Sequence, residues 1–145
     1  MIVVVDTNIV FSIILRANGS VSKVFFSIPS FAKFCAPDFL VAELQEHRAK
    51  LLKHSGLSEI EYEISKTSVF SQIDFIDVNT IPENFLKEAV RLTSAIDYKD
   101  FQFVALALFL DALLWSGDRK LTYGLRRRKF NNVITTQQLC STIGL

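Results

Sequence analysis

The amino-acid sequence predicts an α/β protein, a three-layer α/β/α sandwich built on a central, mainly parallel sheet. Strand signals and helix signals alternate along the whole chain, the pattern of strands joined by crossover helices. The first strand signal, Ile2–Val5, is apolar at every position, as a strand covered on both faces must be. Half of the 145 residues are apolar and 13 are Phe. That is enough for one core, so residues 1–145 are expected to form one domain with a buried aromatic interior.

After Ile2–Val5, a helix pattern runs from Thr7 to about Leu15 and stops at Asn18-Gly19-Ser20. Val21–Ile28 reads as a second helix closed by Pro29, and Lys33–Ala36 as a short strand. Pro37-Asp38 opens a long helix to about His54, which Gly56 ends. Ser58 caps a further helix carrying Glu59, Glu61 and Glu63. Phe75–Val78 reads as a strand, Pro82–Ser94 and Lys99–Leu110 as helices, and Leu113–Ser116 as a strand. Arg119–Arg126 forms a short helix, Val133–Thr135 a strand and Thr136–Ile143 the last helix.

Cys35 and Cys140 are far apart in apolar surroundings and read as two buried, reduced thiols. The apolar N-terminus lacks a basic start and a small-residue cleavage site, so it does not read as a signal peptide. The stretch Phe101–Trp115 is cut by Asp111 and falls short of the roughly 20 residues a membrane span needs. A soluble, cytoplasmic protein with no membrane segment is expected.

The formal net charge of +1 conceals a division. Residues 119–145 hold six Lys/Arg and no acid, which leaves ten Lys/Arg against 15 acids in residues 1–118. In a parallel sheet, ligands bind beyond the carboxyl ends of the strands. Asp6 directly follows the first strand, and Asp118 follows Leu113–Ser116 after Gly117. Asp97 and Asp100 stand at the start of the Lys99–Leu110 helix. Each of these acids can serve as a helix cap. Several on one rim, however, repel unless a cation lies between them, and Mg²⁺ or Mn²⁺ prefers carboxylate oxygens.

Glu43 lies inside a helix. Leu40, Leu44 and Leu51 mark its buried stripe; Glu43 projects roughly 80° from that stripe and Glu46 roughly 140°. Glu43 therefore borders the core, and Glu46 is expected in solvent. Asp111, about 16 Å beyond Asp100 along a continuous helix, is too far to share its site.

These residues carry a family resemblance. Val5-Asp6-Thr7-Asn8 resembles the opening of PIN-domain ribonucleases, a family that includes VapC-like toxins and related stand-alone PIN proteins. Ala36–Leu44, with Glu43 in a helix after a proline, is similar to their second segment, Asp97–Ala107 to the third and Trp115–Leu121 to the fourth. The four motifs occur in order over essentially the whole chain. The resemblance implies a PIN-like fold and a ribonuclease in which Asp6, Glu43, Asp100 and Asp118 hold Mg²⁺ or Mn²⁺, one ion or two. Thr7, Asn8 and Ser116 match its polar support positions, with Ser116 in place of the commoner Thr. Asp97 matches the D-x-x-D form of some subfamilies, where either acid reaches the metal. Stand-alone members of this size are often toxins paired with an antitoxin, and a homodimer is also expected. Val21, Val24, Phe25, Phe26 and Ile28 are candidates for the dimer contact.

Metal-assisted hydrolysis of a phosphodiester requires no His or Cys nucleophile. His47, one turn from Glu43, reads as a solvated histidine, as does His54. The basic residues Arg119, Lys120, Arg126, Arg127, Arg128 and Lys129 directly follow the Asp118 motif and read as an RNA-backbone contact. Phe130 and Tyr123 are candidate stacking surfaces, while Trp115 reads as core. The alternative is a PIN-fold RNA-binding or adaptor module with weak or no catalysis. Neither G-x-x-x-x-G-K-[ST] nor G-x-G-x-x-G is present, which argues against a nucleotide-binding loop. Asp6-Thr7-Asn8 departs from the D-x-D of aspartyl-phosphate phosphatases, and no spaced Cys/His set suggests zinc.

Overall fold

Strands Ile2–Val5 (β1), Lys33–Pro37 (β2), Ile73–Ile76 (β3), Leu113–Trp115 (β4) and Val133–Ile134 (β5) form one all-parallel sheet in the order β3-β2-β1-β4-β5. The computed structural model describes residues 1–145, apart from the side chain of Tyr98. The register sets Val4 beside Cys35 on one side and Leu114 on the other, and Val5 beside Trp115. Helices Thr7–Leu15 (α1), Ser20–Phe26 (α2), Phe39–Glu46 (α3), Arg48–Ser55 (α4) and Glu59–Phe70 (α5) lie between β1 and β3 in sequence. Glu83–Thr93 (α6) and Phe101–Leu110 (α7) connect β3 to β4, Arg119–Arg127 (α8) connects β4 to β5, and Thr136–Ile143 (α9) follows. Successive strands move outward from β1 to β3, then return to its other side. Right-handed crossovers place the connections before and after that reversal on opposite faces.

The core explains why β1 is uniformly apolar. Val3, Val4 and Val5 are fully buried between layers. Phe103, Val104, Ala105, Leu106 and Ala107 are buried in unbroken succession, because α7 packs on β1, β2 and β4 while α6 covers its outer side. Elsewhere Phe25, Phe34 and Trp115 stack in series, with centroids 4.5 and 5.9 Å apart. The Trp115 indole N–H donates to Thr136 Oγ1 at 3.0 Å, linking β4 to α9.

Several expectations need correction. The long helix after Pro37 divides at His47, where φ −98° and ψ 8° interrupt it before α4 resumes. There α3 packs on β2 and α1 and α4 on α1, while the His47 ring meets Phe11 edge-on at 5.7 Å. The strand read as Phe75–Val78 is Ile73–Ile76, because Asp77 caps a 3₁₀ turn over Val78–Thr80 by accepting from Asn79 N–H. Residue 98 begins a second 3₁₀ turn, Tyr98–Asp100, so α7 starts at Phe101. Cys140 is only half-buried, unlike Cys35, and both are free. Val24 and Phe25 are core, which leaves Phe26 as the exposed apolar part of α2. Among the described residues, no single helix is long and apolar enough to cross a membrane. The pair α1 and α2 passes that test only together, bent by 107°, and its Ile9, Val10, Ile13, Val24 and Phe25 are core.

Candidate active site

The sheet reverses direction beside β1, and the crevice of such a sheet opens where neighbouring strands send their connections opposite ways. Asp6 leaves the carboxyl end of β1 there, and Asp118 follows that of β4. Both cap helices. Asp6 Oδ1 accepts from Ile9 N–H at 2.9 Å, and Asp118 Oδ1 accepts from Leu121 N–H at 3.1 Å. Each cap bond is made to a single carboxylate oxygen.

The remaining three acids arrive from two further segments. Thr7, the first residue of α1, donates its hydroxyl to Glu43 Oε1 at 2.5 Å and so fixes the α3 carboxylate beside β1. Glu43 is half-buried and Glu46 exposed, as the helix geometry requires. Asp97 is exposed and its Oδ1 accepts from Lys99 N–H at 3.1 Å. Asp100 is half-buried at the start of α7, and its side chain makes no cap bond. Asp6, Glu43, Asp97, Asp100 and Asp118 all line one cavity of 160 Å³, together with Thr7, Asn8, Phe11, His47 and Lys99. Asp111 lies outside it, capping α7 with φ 49°.

Burial first, and the crowding of like charge behind it, raises two of the acids. Asp6, 4% exposed, is pushed up to about 6 by its burial. Hydrogen bonds from Ser116 and from Ile9 N–H pull down, and the Asp118 and Glu43 charges push up. Asp100 is pushed up to about 7 by desolvation, then by Asp97, Asp6, Asp118 and Glu43. Ser116 is fully buried and its Oγ accepts from Asp118 N–H at 3.1 Å. Among the described residues no group of three acidic, histidine or cysteine side chains stands as a ready metal-ligand set. The donor chemistry nonetheless fits a hard divalent cation: five carboxylates face Lys99 and His47 alone as basic lining, with Asp6 and Asp100 resisting ionisation.

The structure sorts the basic strip. Arg126 donates to the Val133 carbonyl and Gln138, and Arg128 donates to the Arg91 carbonyl. These two fasten α8 to its neighbours. Arg119, Lys120, Arg127 and Lys129 are exposed and enter no ion pair or side-chain hydrogen bond among the described residues. Phe130 is buried, which removes it as a stacking surface, and Trp115 is core. Tyr123 is 58% exposed. Sequence reading did not single out Phe11 or Lys99 as cavity lining; the one available signal was Phe11 lying one helical turn after Thr7. His47 is exposed, as expected, yet it also lines the cavity.

The PIN-domain family matches residues 4–138, nearly the whole chain. The chain belongs to the PIN-domain family. In fold, this PIN domain resembles a chain in the crystal structure of VapBC2 from Rickettsia felis bound to a DNA fragment from their promoter. The TM-score is 0.68 at 17% identity, over 93% of this chain and 97% of that one. No curated protein matches it in sequence.

Proposed function

We propose that this PIN protein is a metal-dependent endoribonuclease, hydrolysing RNA phosphodiester bonds with Mg²⁺ or Mn²⁺. The observation that carries the reading is the convergence of five carboxylates from four motifs on one cavity at the reversal point of the sheet. Asp6, Glu43, Asp100 and Asp118 are the assigned ligands, and Asp97, exposed where Asp100 is half-buried, is an auxiliary one. One or two bound ions would supply an activated water and neutralise charge on the phosphate and the leaving oxygen.

The chain's own groups do the rest. Thr7 orients Glu43 through its hydroxyl. Ser116 accepts from Asp118 N–H and so orients the turn that carries the Asp118 carboxylate. Asn8, on the first turn of α1, offers a neutral amide to substrate or water. Lys99 sits among the acids and attracts phosphate where the carboxylates alone would repel it. Arg119, Lys120, Arg127 and Lys129 draw the RNA backbone toward the rim without reading bases.

The protein is further proposed to act as a toxin held by an antitoxin, a reading supported by its likeness to a chain of the VapBC2 assembly. Self-association through Phe26 and Phe31, 52% and 73% exposed, is proposed for the homodimer. The chain as one domain and a cytoplasmic location complete the reading.

The test is hydrolysis of an RNA by purified protein. Cleavage with Mn²⁺ that EDTA abolishes and Asp118→Asn reduces at least 100-fold is the expected result. Binding of the same RNA without cleavage under any divalent cation would contradict it and favour the adaptor module.

A further inference from the structure

We propose that a second cavity, between α8 and the turn after α6, is a nucleotide subsite: Tyr123 stacks on an unpaired base beside the cleaved linkage, and Lys120 and Arg127 hold the flanking phosphates. The assignment deepens the nuclease reading and rests on it for the identity of the neighbouring linkage.

The cavity measures 280 Å³ and is lined by Ala95, Ile96, Lys120, Tyr123, Gly124 and Arg127. Positions 120, 123, 124 and 127 recur at helical spacing, so they form one face of α8. The opposite face carries Leu121, Thr122 and Leu125 and is buried. Tyr123 thus presents its ring to solvent between two cations. Exposed charges are usually only solvated, but here Arg126 and Arg128 of the same run are fastened to backbone carbonyls, whereas Lys120 and Arg127 enter no ion pair among the described residues. The lining contains no acid.

Gly124 gives the cavity its floor. A Cβ at that position would fall 2.5 Å from Ile96 Cδ1, so only glycine lets the turn after α6 approach α8 this closely. Ile96 lines this cavity and Asp97, the next residue, lines the acidic one. On the α8 side, Asp118 lines the acidic cavity and Lys120, two residues on, this one. The two cavities are therefore lined, on both walls, by residues that stand next to or two apart from one another in sequence. An aromatic face flanked by cations takes a base and its phosphates with little regard to sequence. A paired base does not present its face, so the occupant is a single-stranded segment.

The test separates binding from cleavage. Anisotropy of a fluorescein-labelled oligouridylate is measured in EDTA for wild type, Tyr123→Ala, Tyr123→Phe and the double variant Lys120→Gln/Arg127→Gln. Tyr123→Ala is expected to weaken binding about 10-fold, within the range of a lost base stack, and Tyr123→Phe to retain it. The double variant should flatten the log–log salt dependence by about 1.4, two phosphate contacts' worth. Melting temperatures near wild type confirm that the exposed substitutions leave the fold intact. Affinity and salt dependence indifferent to all three variants would overturn the subsite. Manganese-dependent hydrolysis, read separately on the same oligonucleotide, distinguishes the two ideas. Hydrolysis by wild type with a KM unaffected by Tyr123→Ala leaves the nuclease standing and removes the subsite. Tyr123-dependent binding with no hydrolysis keeps the subsite and removes the nuclease.

Discussion

Asp6 is a carboxylate held at 4% exposure beside the Asp118 and Glu43 charges. Its value of about 6, and about 7 for Asp100, lie above the 3.8 of an ordinary Asp, so the folded state binds more protons than the unfolded chain between those limits. Stability from these groups is therefore complete below pH 3.8 and is lost as pH rises through 6 and 7. Glu61, Glu63 and Glu88 are held low by hydrogen bonds to Ser58, to Lys66 and Arg48, and to Arg91, and their contribution is lost only as pH falls below 4.5. Between pH 5 and 7.5 the two site aspartates thus govern the slope. In EDTA the melting temperature should fall over that range, with Asp6 alone costing on the order of 2 kcal/mol. Asp6→Asn should flatten the fall; a melting temperature that rises with pH in wild type would contradict the raised values that burial and like charge give these two acids. Asp118 separates two roles at one residue. Asp118→Asn keeps an acceptor for Leu121 N–H and should leave metal-free stability within about 0.5 kcal/mol, whereas Asp118→Ala should lose about 1 kcal/mol with the cap.

Helix α8 shows how an element is positioned by one close approach. Gly124→Ala gains helix propensity of roughly 1 kcal/mol. It also drives a Cβ to 2.5 Å from Ile96 Cδ1 and 2.7 Å from Cγ1, an overpacking that costs about 1–3 kcal/mol. The clash should win, with a lower melting temperature by a few degrees; a stabilised variant would show that the turn carrying Ile96 yields freely. Signals that are local in sequence were legible at this scale. Ser58 with Glu61 forms a reciprocal cap, and Thr136–Ile143 is the last helix as read. The break at His47 was not, because the sequence pattern Leu40, Leu44, Leu51 is met equally by one helix or by two. Nor was the exit from β3, which a side-chain bond from Asp77 decides.

Over the whole molecule, a net charge of +1 conceals five acids gathered in one crevice and four cations, Arg119, Lys120, Arg126 and Arg127, on α8. The alternation of strands and helices made the parallel sheet legible, and strand ends made the rim positions of Asp6 and Asp118 legible. Which arginines face solvent was not, since the partners of Arg126 and Arg128 come from Val133, Gln138 and Arg91, brought near only by folding. Phe130 and Val24 were misread for the same reason: an aromatic or apolar residue beside a functional segment is core or surface according to its distant neighbours. The decisive question is whether the gathered acids hold a cation, since Asp6, Asp97 and Asp118 also cap helices or turns. Titration of Mn²⁺ into metal-free protein, followed by melting temperature, tests it most directly. Mn²⁺ is expected to raise the melting temperature of wild type by several degrees and that of Asp6→Asn far less, while Asp6→Asn without metal is at least as stable as wild type. No Mn²⁺ response in wild type, or a metal-free Asp6→Asn that is clearly weaker, would contradict the cation site.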